Sequence, residues 1–248
     1  MKGRDIMYGY DNKELLNYFA KELSEYSIYG VQCGDPCGFL GQGISRTVFH
    51  YSKYEDIVFK IAIGDDGCDE NTFYEEEKIY YEAVEEGLAH FFAPLECIGQ
   101  IWLHDDEPDP DEEENGCYWS WYEQTYNCLP DGIRKVNDDR YERCFNVYIQ
   151  PCVATTASDM NNDFDRNSFE RELKIVHALR GKKGEWGRFE HPMAARSDWM
   201  ASYILRKYGI KEYNRFVKFI EEHHLSDLHN DNWAVEESGE LVIIDYAM

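Results

Sequence analysis

Basic residues are scarce in this chain. Lys and Arg number 25 against 49 Asp and Glu, which leaves a formal net charge of -24. A field of that sign repels phosphate backbones and anionic membrane surfaces, so neither nucleic acid nor membrane is expected as a partner. Proline is also sparse, with 7 in 248 residues. No apolar run approaches the eighteen or so residues that suggest a membrane-spanning helix. Cys-x2-Cys pairs are absent as well: the eight cysteines are scattered, and Cys33-x3-Cys37 has no matching second pair nearby. That spacing argues against a structural zinc site. The opening Met1-Lys2-Gly3-Arg4-Asp5 lacks the pattern of a secretory signal. The expectation is a cytoplasmic protein with reduced thiols, in the host cytoplasm if the source is viral.

What is present is enough apolar material for a substantial core. At 43% hydrophobic composition over 248 residues, the chain can form one large domain or two small lobes. Leu15, Leu16, Phe19 and Leu23 recur at helical spacing after an Asp11-Asn12 cap, which predicts an amphipathic opening helix. From Phe39 to Ile63 the pattern turns to β-branched and alternating runs, Thr47-Val48-Phe49-His50-Tyr51 and Ile57-Val58-Phe59-Lys60-Ile61-Ala62, which predict consecutive antiparallel strands. Residues 70–86 read as an acidic helix with Phe73, Ile79, Tyr80 and Ala83 on one face. Strands are predicted at 93–98 and 145–149. The acidic, proline-containing run Asp105–Glu114 lies between them and reads as part of a solvated insertion of about 104–143. Beyond Cys152 the spacing predicts helices over 167–180, 197–208 and 211–223, then a hairpin from Asn232 to Asp245 turning at Ser238-Gly239.

The fold class expected is therefore α+β. Residues 1–150 would hold an opening helix, an antiparallel sheet, one helix and the acidic insertion, and residues 151–248 a helical portion with the closing hairpin.

Three segments carry chemistry. In Gly41-Gln42-Gly43-Ile44-Ser45-Arg46, two glycines at a strand-strand turn would let backbone N–H groups lie over phosphates, with Ser45 beside them. An ordinary β-turn is the alternative, since Arg46 stands where a third glycine would complete the loop. Lys60 lies inside the apolar strand Val58-Phe59-Lys60-Ile61-Ala62. An inward lysine there needs an anionic partner such as the α/β-phosphates of a nucleotide, while simple alternation would turn it outward. On the acidic helix that follows, Glu76 is the acid in phase with the apolar positions.

The third segment is the most specific. Asp227 and Asn232 stand five residues apart in Asp227-Leu228-His229-Asn230-Asp231-Asn232, and Asp245 follows at the end of the apolar run Leu241-Val242-Ile243-Ile244. Asp227 would accept the proton of an attacking hydroxyl. Asn232 and Asp245 would offer hard oxygen ligands suited to Mg2+.

In these three segments, and in their order, the chain resembles the protein-kinase-like superfamily, including small-molecule phosphotransferases and compact kinase-like proteins of bacteria and phages. The resemblance spans roughly Phe39 to Asp245 and implies a two-lobed kinase-like fold with an antiparallel-sheet first lobe and a reduced helical second lobe. It implies ATP and Mg2+ as cofactors, bound between the lobes. Gly41, Gly43, Ser45 and Lys60 would meet the phosphates, and Glu76 would pair with Lys60. Backbone groups of Gln150 and Cys152 would face adenine. Asp227, Lys60 and Asn232 would be catalytic, and Asn232 and Asp245 metal ligands.

The departures are also informative. Leu225-Ser226 precedes the aspartate where kinases have His-Arg, and His229 replaces a lysine. With Asp245-Tyr246-Ala247-Met248 closing the sequence, no counterpart is expected for the segment that holds a peptide substrate in protein kinases. The expected activity is transfer of the γ-phosphoryl of Mg-ATP to a hydroxyl on an unidentified protein or small-molecule acceptor. The alternative is a pseudokinase-type interaction protein, including an acidic inhibitor that mimics nucleic acid.

Overall fold

The computed structural model describes residues 9–42, 46–64, 70–105, 118–137, 140–153, 155–156, 164–179, 198–225, 228, 232–235 and 240–246. It is an α+β protein with an antiparallel sheet and several helices. Its chain divides into two compact units, Met1–Phe73 with Leu95–Cys152, and Tyr74–Pro94 with Val153–Met248.

The first unit is built on a six-stranded antiparallel sheet. Its strands are β1 (Phe39–Gln42), β2 (Thr47–Phe49), β3 (Ile57–Ile61), β4 (Glu96–Asp105), β5 (Ile133–Asn137) and β6 (Arg140–Pro151). They run in the order β1-β2-β3-β6-β4, with β5 also pairing to β6. β6 is long enough to take β3 beside its second half and β5 beside its first, while β4 follows almost its whole length on the other side.

Helices α1 (Asn12–Leu23) and α2 (Ile28–Gln32) belong to this unit. Each starts where a side chain satisfies an orphan amide of its first turn: Asp11 accepts from the Glu14 N–H, and Ser27 from the Gly30 N–H. Leu15, Phe19 and Leu23 of α1 are fully buried in one core with Phe49, Phe59, Val147 and Ile149 of the sheet. Phe19 stacks on Phe59 at 4.8 Å between ring centroids and meets Phe49 edge-on at 5.3 Å. The amide of Asn12 donates to the buried carboxylate of Glu96 at 2.7 Å, tying the start of α1 to β4. Gly99 permits the close approach: its φ is +145°, and a Cβ there would lie 2.5 Å from Leu16.

Structure and expectation differ between 104 and 143. β4 continues to Asp105 and β6 begins at Arg140, and between them lie a helix, α4 (Tyr118–Tyr126), and the strand β5. Trp119 of α4 is buried and its ring lies 5.3 Å from the Arg143 guanidinium, so aromatic packing recruits this stretch. Of the acidic run Asp105–Glu114, Asp105 ends β4 and is ion-paired with Arg143 at 2.9 Å, and the rest lies outside the described residues.

The second unit contains helices α3 (Glu70–Glu85, whose first turn belongs to the first unit), α5 (Glu170–Leu179) and α6 (Asp198–Glu222), and a small antiparallel sheet of β7 (Thr155–Thr156), β8 (Trp233–Val235) and β9 (Leu241–Ile243) in that order. Its core joins Ile79 and Ala83 of α3 with Phe91 and Phe92 of a 3-10 turn (Ala89–Phe91 and the next residue), Phe216 and Phe219 of α6, and Trp233 and Ile243 of the hairpin. The two helices expected at 197–208 and 211–223 are found end to end within α6, separated at Gly209, whose φ of 78° and ψ of 171° are not helical. Among the described residues, no helix is long and apolar enough to cross a membrane.

Candidate functional site

In the first unit, sheet register sets two of the expected residues, Gly41 and Lys60, in one row. Gly41 pairs with Val48, Val48 with Lys60, Lys60 with Tyr148, and Tyr148 with Cys97. Directly paired residues share a face. This row therefore lies opposite the row formed by Phe49, Phe59 and Ile149, which faces α1. All five residues of β3 are buried, and Lys60 is only 5% exposed. Alternation sends Lys60 away from the aromatic core, but that second face is covered too. An ammonium there exists at the cost of desolvation, which favours anionic company.

Gly41 sits at the start of the row without a positive φ, and a Cβ built on it would meet nothing within 4 Å. Neither backbone conformation nor packing against the protein demands a glycine there. A bound group approaching the main chain would supply such a demand. Gly43 and Ser45, the other expected phosphate contacts, lie outside the described residues. Arg46, directly after them, is buried, and the buried Thr47 hydroxyl donates to the Ile63 carbonyl.

Gln150 is buried beside this row, opposite Val58 in register. The Cys152 N–H, one of the backbone groups expected to face adenine, donates to the Asp56 carbonyl at 2.8 Å and is thus already engaged within the unit. Burial, and then the nearby Asp56 carboxylate, push the Cys152 thiol above its ordinary range.

In the second unit, the hairpin brings Asn232 and Asp245 to the same end. Trp233 pairs with Ile243, and the Ile244 N–H donates to the Asn232 carbonyl at 2.9 Å, so Asp245 follows one residue beyond Asn232's partner. Asn232 is buried and Asp245 half-buried. Asp227 and His229 lie outside the described residues, as does the turn at Ser238-Gly239, while Leu228 is buried in the unit's core.

Glu76 of α3 points inward, as its phase with Ile79 and Ala83 requires. It is wholly buried, whereas Glu75 is exposed and Glu77 intermediate. Its carboxylate accepts the Tyr246 backbone N–H at 3.0 Å. The Tyr246 hydroxyl in turn donates to the Ala93 carbonyl at 3.1 Å, and its ring meets Phe92 edge-on at 5.1 Å. The Ala93 N–H closes the circuit by donating to the Ile243 carbonyl at 2.8 Å.

Sequence reasoning missed Tyr246 and Ala93. An aromatic residue next to an expected ligand was the available signal for Tyr246, whereas nothing in the sequence pointed to Ala93.

An amide carbonyl and a carboxylate are hard oxygen donors, so Asn232 and Asp245 fit Mg2+ by ligand type. Among the described residues, no group of three or more His, Cys, Asp or Glu side chains gathers as a metal cluster. No known protein-family model matches the chain, and no curated protein matches it in sequence.

Proposed function

We propose that the chain is a compact kinase-like phosphotransferase whose two units correspond to the two lobes of that fold. It would transfer the γ-phosphoryl of Mg-ATP to the hydroxyl of a protein or small-molecule acceptor. The observation that carries the reading is the hairpin register that sets Asn232 across from Ile244, immediately before Asp245. Two oxygen donors separated by more than ten residues of chain are thereby held at one end of one hairpin. The burial of Lys60 on β3 supports the same reading.

In this reading Lys60 holds the α/β-phosphates and Gly41 leaves room for them along the main chain. Asn232 and Asp245 would hold Mg2+, which would supply charge neutralisation for the phosphates. Asp227 orients the acceptor hydroxyl and takes its proton as the oxygen bonds to the γ-phosphorus and ADP departs. An ionised Asp245 is essential to this scheme.

The test is release or transfer of labelled γ-phosphate from ATP in the presence of Mg2+. Wild type is expected to turn over, to itself, to water or to an added acceptor, and Asp245→Asn to fall by at least about a hundredfold, the scale of losing an electrostatic contact to the transferred group. Equal rates in the two proteins would sink the proposal. The net charge of -24 favours a second reading, a scaffold of the same fold that captures a basic partner. Tight Mg-ATP binding without turnover would select it.

A further inference from the structure

Asp245 is bracketed from both sides. Two residues before it, the Ile243 carbonyl accepts from the Ala93 N–H; one residue after it, Tyr246 donates twice, by its backbone N–H to Glu76 and by its hydroxyl to Ala93. A single residue, Ala93, thus grips the chain on either side of Asp245. Phe92, next to it, adds a parallel bridge to Ile243 and the edge-on contact with the Tyr246 ring. Tyr246 is 2% exposed and Glu76 fully buried. Water competes poorly for these bonds, so each one restricts the backbone of Asp245 more than it would at the surface.

A phenylalanine would fill the same apolar space among Phe92, Phe219 and Trp233. What the tyrosine adds is the hydroxyl, which donates to the Ala93 carbonyl.

We infer that Tyr246 is a positioning residue. Its hydroxyl, together with the carboxylate of Glu76, holds the Asp245 backbone in a single conformation and so presets the carboxylate for the divalent cation. This inference rests on the reading of Asp245 as a metal ligand. A preset ligand avoids the ordering cost that a loose segment incurs on binding, so metal affinity is where the hydroxyl should be felt.

The probe is Mn2+ alone, without nucleotide, measured on the full chain by calorimetry or by loss of its free-ion spin-resonance signal. Amide hydrogen exchange over Leu241–Tyr246 is followed in the same samples. Tyr246→Phe is expected to keep the fold, to exchange about fivefold faster in this segment and to bind Mn2+ about three- to tenfold more weakly, the scale of one lost hydrogen bond. Tyr10→Phe removes a hydroxyl bonded to Asp56 in the first unit. It is expected to leave both readouts at their wild-type values.

Glu76→Gln keeps an acceptor for the Tyr246 N–H and should lie between wild type and Tyr246→Phe in exchange. Wild-type exchange and wild-type Mn2+ affinity in Tyr246→Phe would overturn the inference while leaving the metal reading in place. A wild-type chain that binds no Mn2+ would overturn the metal reading and the inference with it.

Discussion

Lys60 shows how far a single residue can be read from pattern. Alternation along Ile57-Val58-Phe59-Lys60-Ile61 fixes which residues share a face, and Phe59 does face α1 while Lys60 does not. Whether the second face is wet or covered is a tertiary matter that periodicity does not encode. Glu76 was legible because helical phase ties it to Ile79 and Ala83, which lie in the core. Tyr246 was not, since its role depends on Ala93, 153 residues away in sequence.

His90 carries a prediction at this scale. Its ring packs on Phe91 at 4.2 Å and Tyr208 at 4.9 Å, with Glu212 at 3.7 Å and Arg215, Lys207 and Glu240 nearby. Burial is the largest influence and holds its pKa below the ordinary 6.5, and Glu212 and Glu240 oppose this only in part. The unfolded chain therefore binds the proton more readily, so His90 favours the fold fully above about pH 6.5 and loses that contribution as pH falls below it. Thermal unfolding of wild type and His90→Gln at pH 7.5 and 5.5 checks the sign. The wild-type midpoint should drop more than that of the variant on acidification, and an equal drop would contradict it.

At the scale of elements, the repeating patterns were readable. α1, α3, α5, the strands β2 and β3 and the closing hairpin follow from apolar spacing that matches the helical or strand period. α4 and β5 were hidden because they follow a run of acids and prolines that reads as a loop, while the contacts that stabilise them come from the distant β6. Lys135 of β5 and Tyr141 of β6 both bond the Glu123 carboxylate of α4, at 3.1 and 3.0 Å. That carboxylate is held below its usual range chiefly by those two hydrogen bonds.

Gly209 is the one break in α6, and its φ of 78° with ψ of 171° lies in a region that only glycine occupies readily. A Cβ there would meet no neighbour within 4 Å, so the cost of substitution is backbone strain alone. Gly209→Ala is expected to destabilise the second unit by about 1–3 kcal/mol, measurable by chemical denaturation. A loss below about half a kcal/mol, within the range of ordinary surface substitutions, would show that the break can straighten into continuous helix.

The whole molecule is an α+β chain of two units carrying a net charge of -24. The charge makes a polyanionic partner unfavourable, and it makes the few buried cationic and anionic groups stand out as places where the fold accepts a desolvation cost. The proposal interprets Lys60 in the first unit and the Asn232–Asp245 hairpin end in the second as parts of one nucleotide-dependent activity. Its most direct test is calorimetric titration with a non-hydrolysable ATP analogue, with and without Mg2+, on wild type, Lys60→Met and Asp245→Asn. The account expects Mg2+-dependent binding in wild type and at least about tenfold weaker binding in each variant, the loss of about 1.4 kcal/mol or more from a charged contact. Nucleotide affinity that is absent in wild type, or indifferent to Mg2+ and to both substitutions, would contradict it.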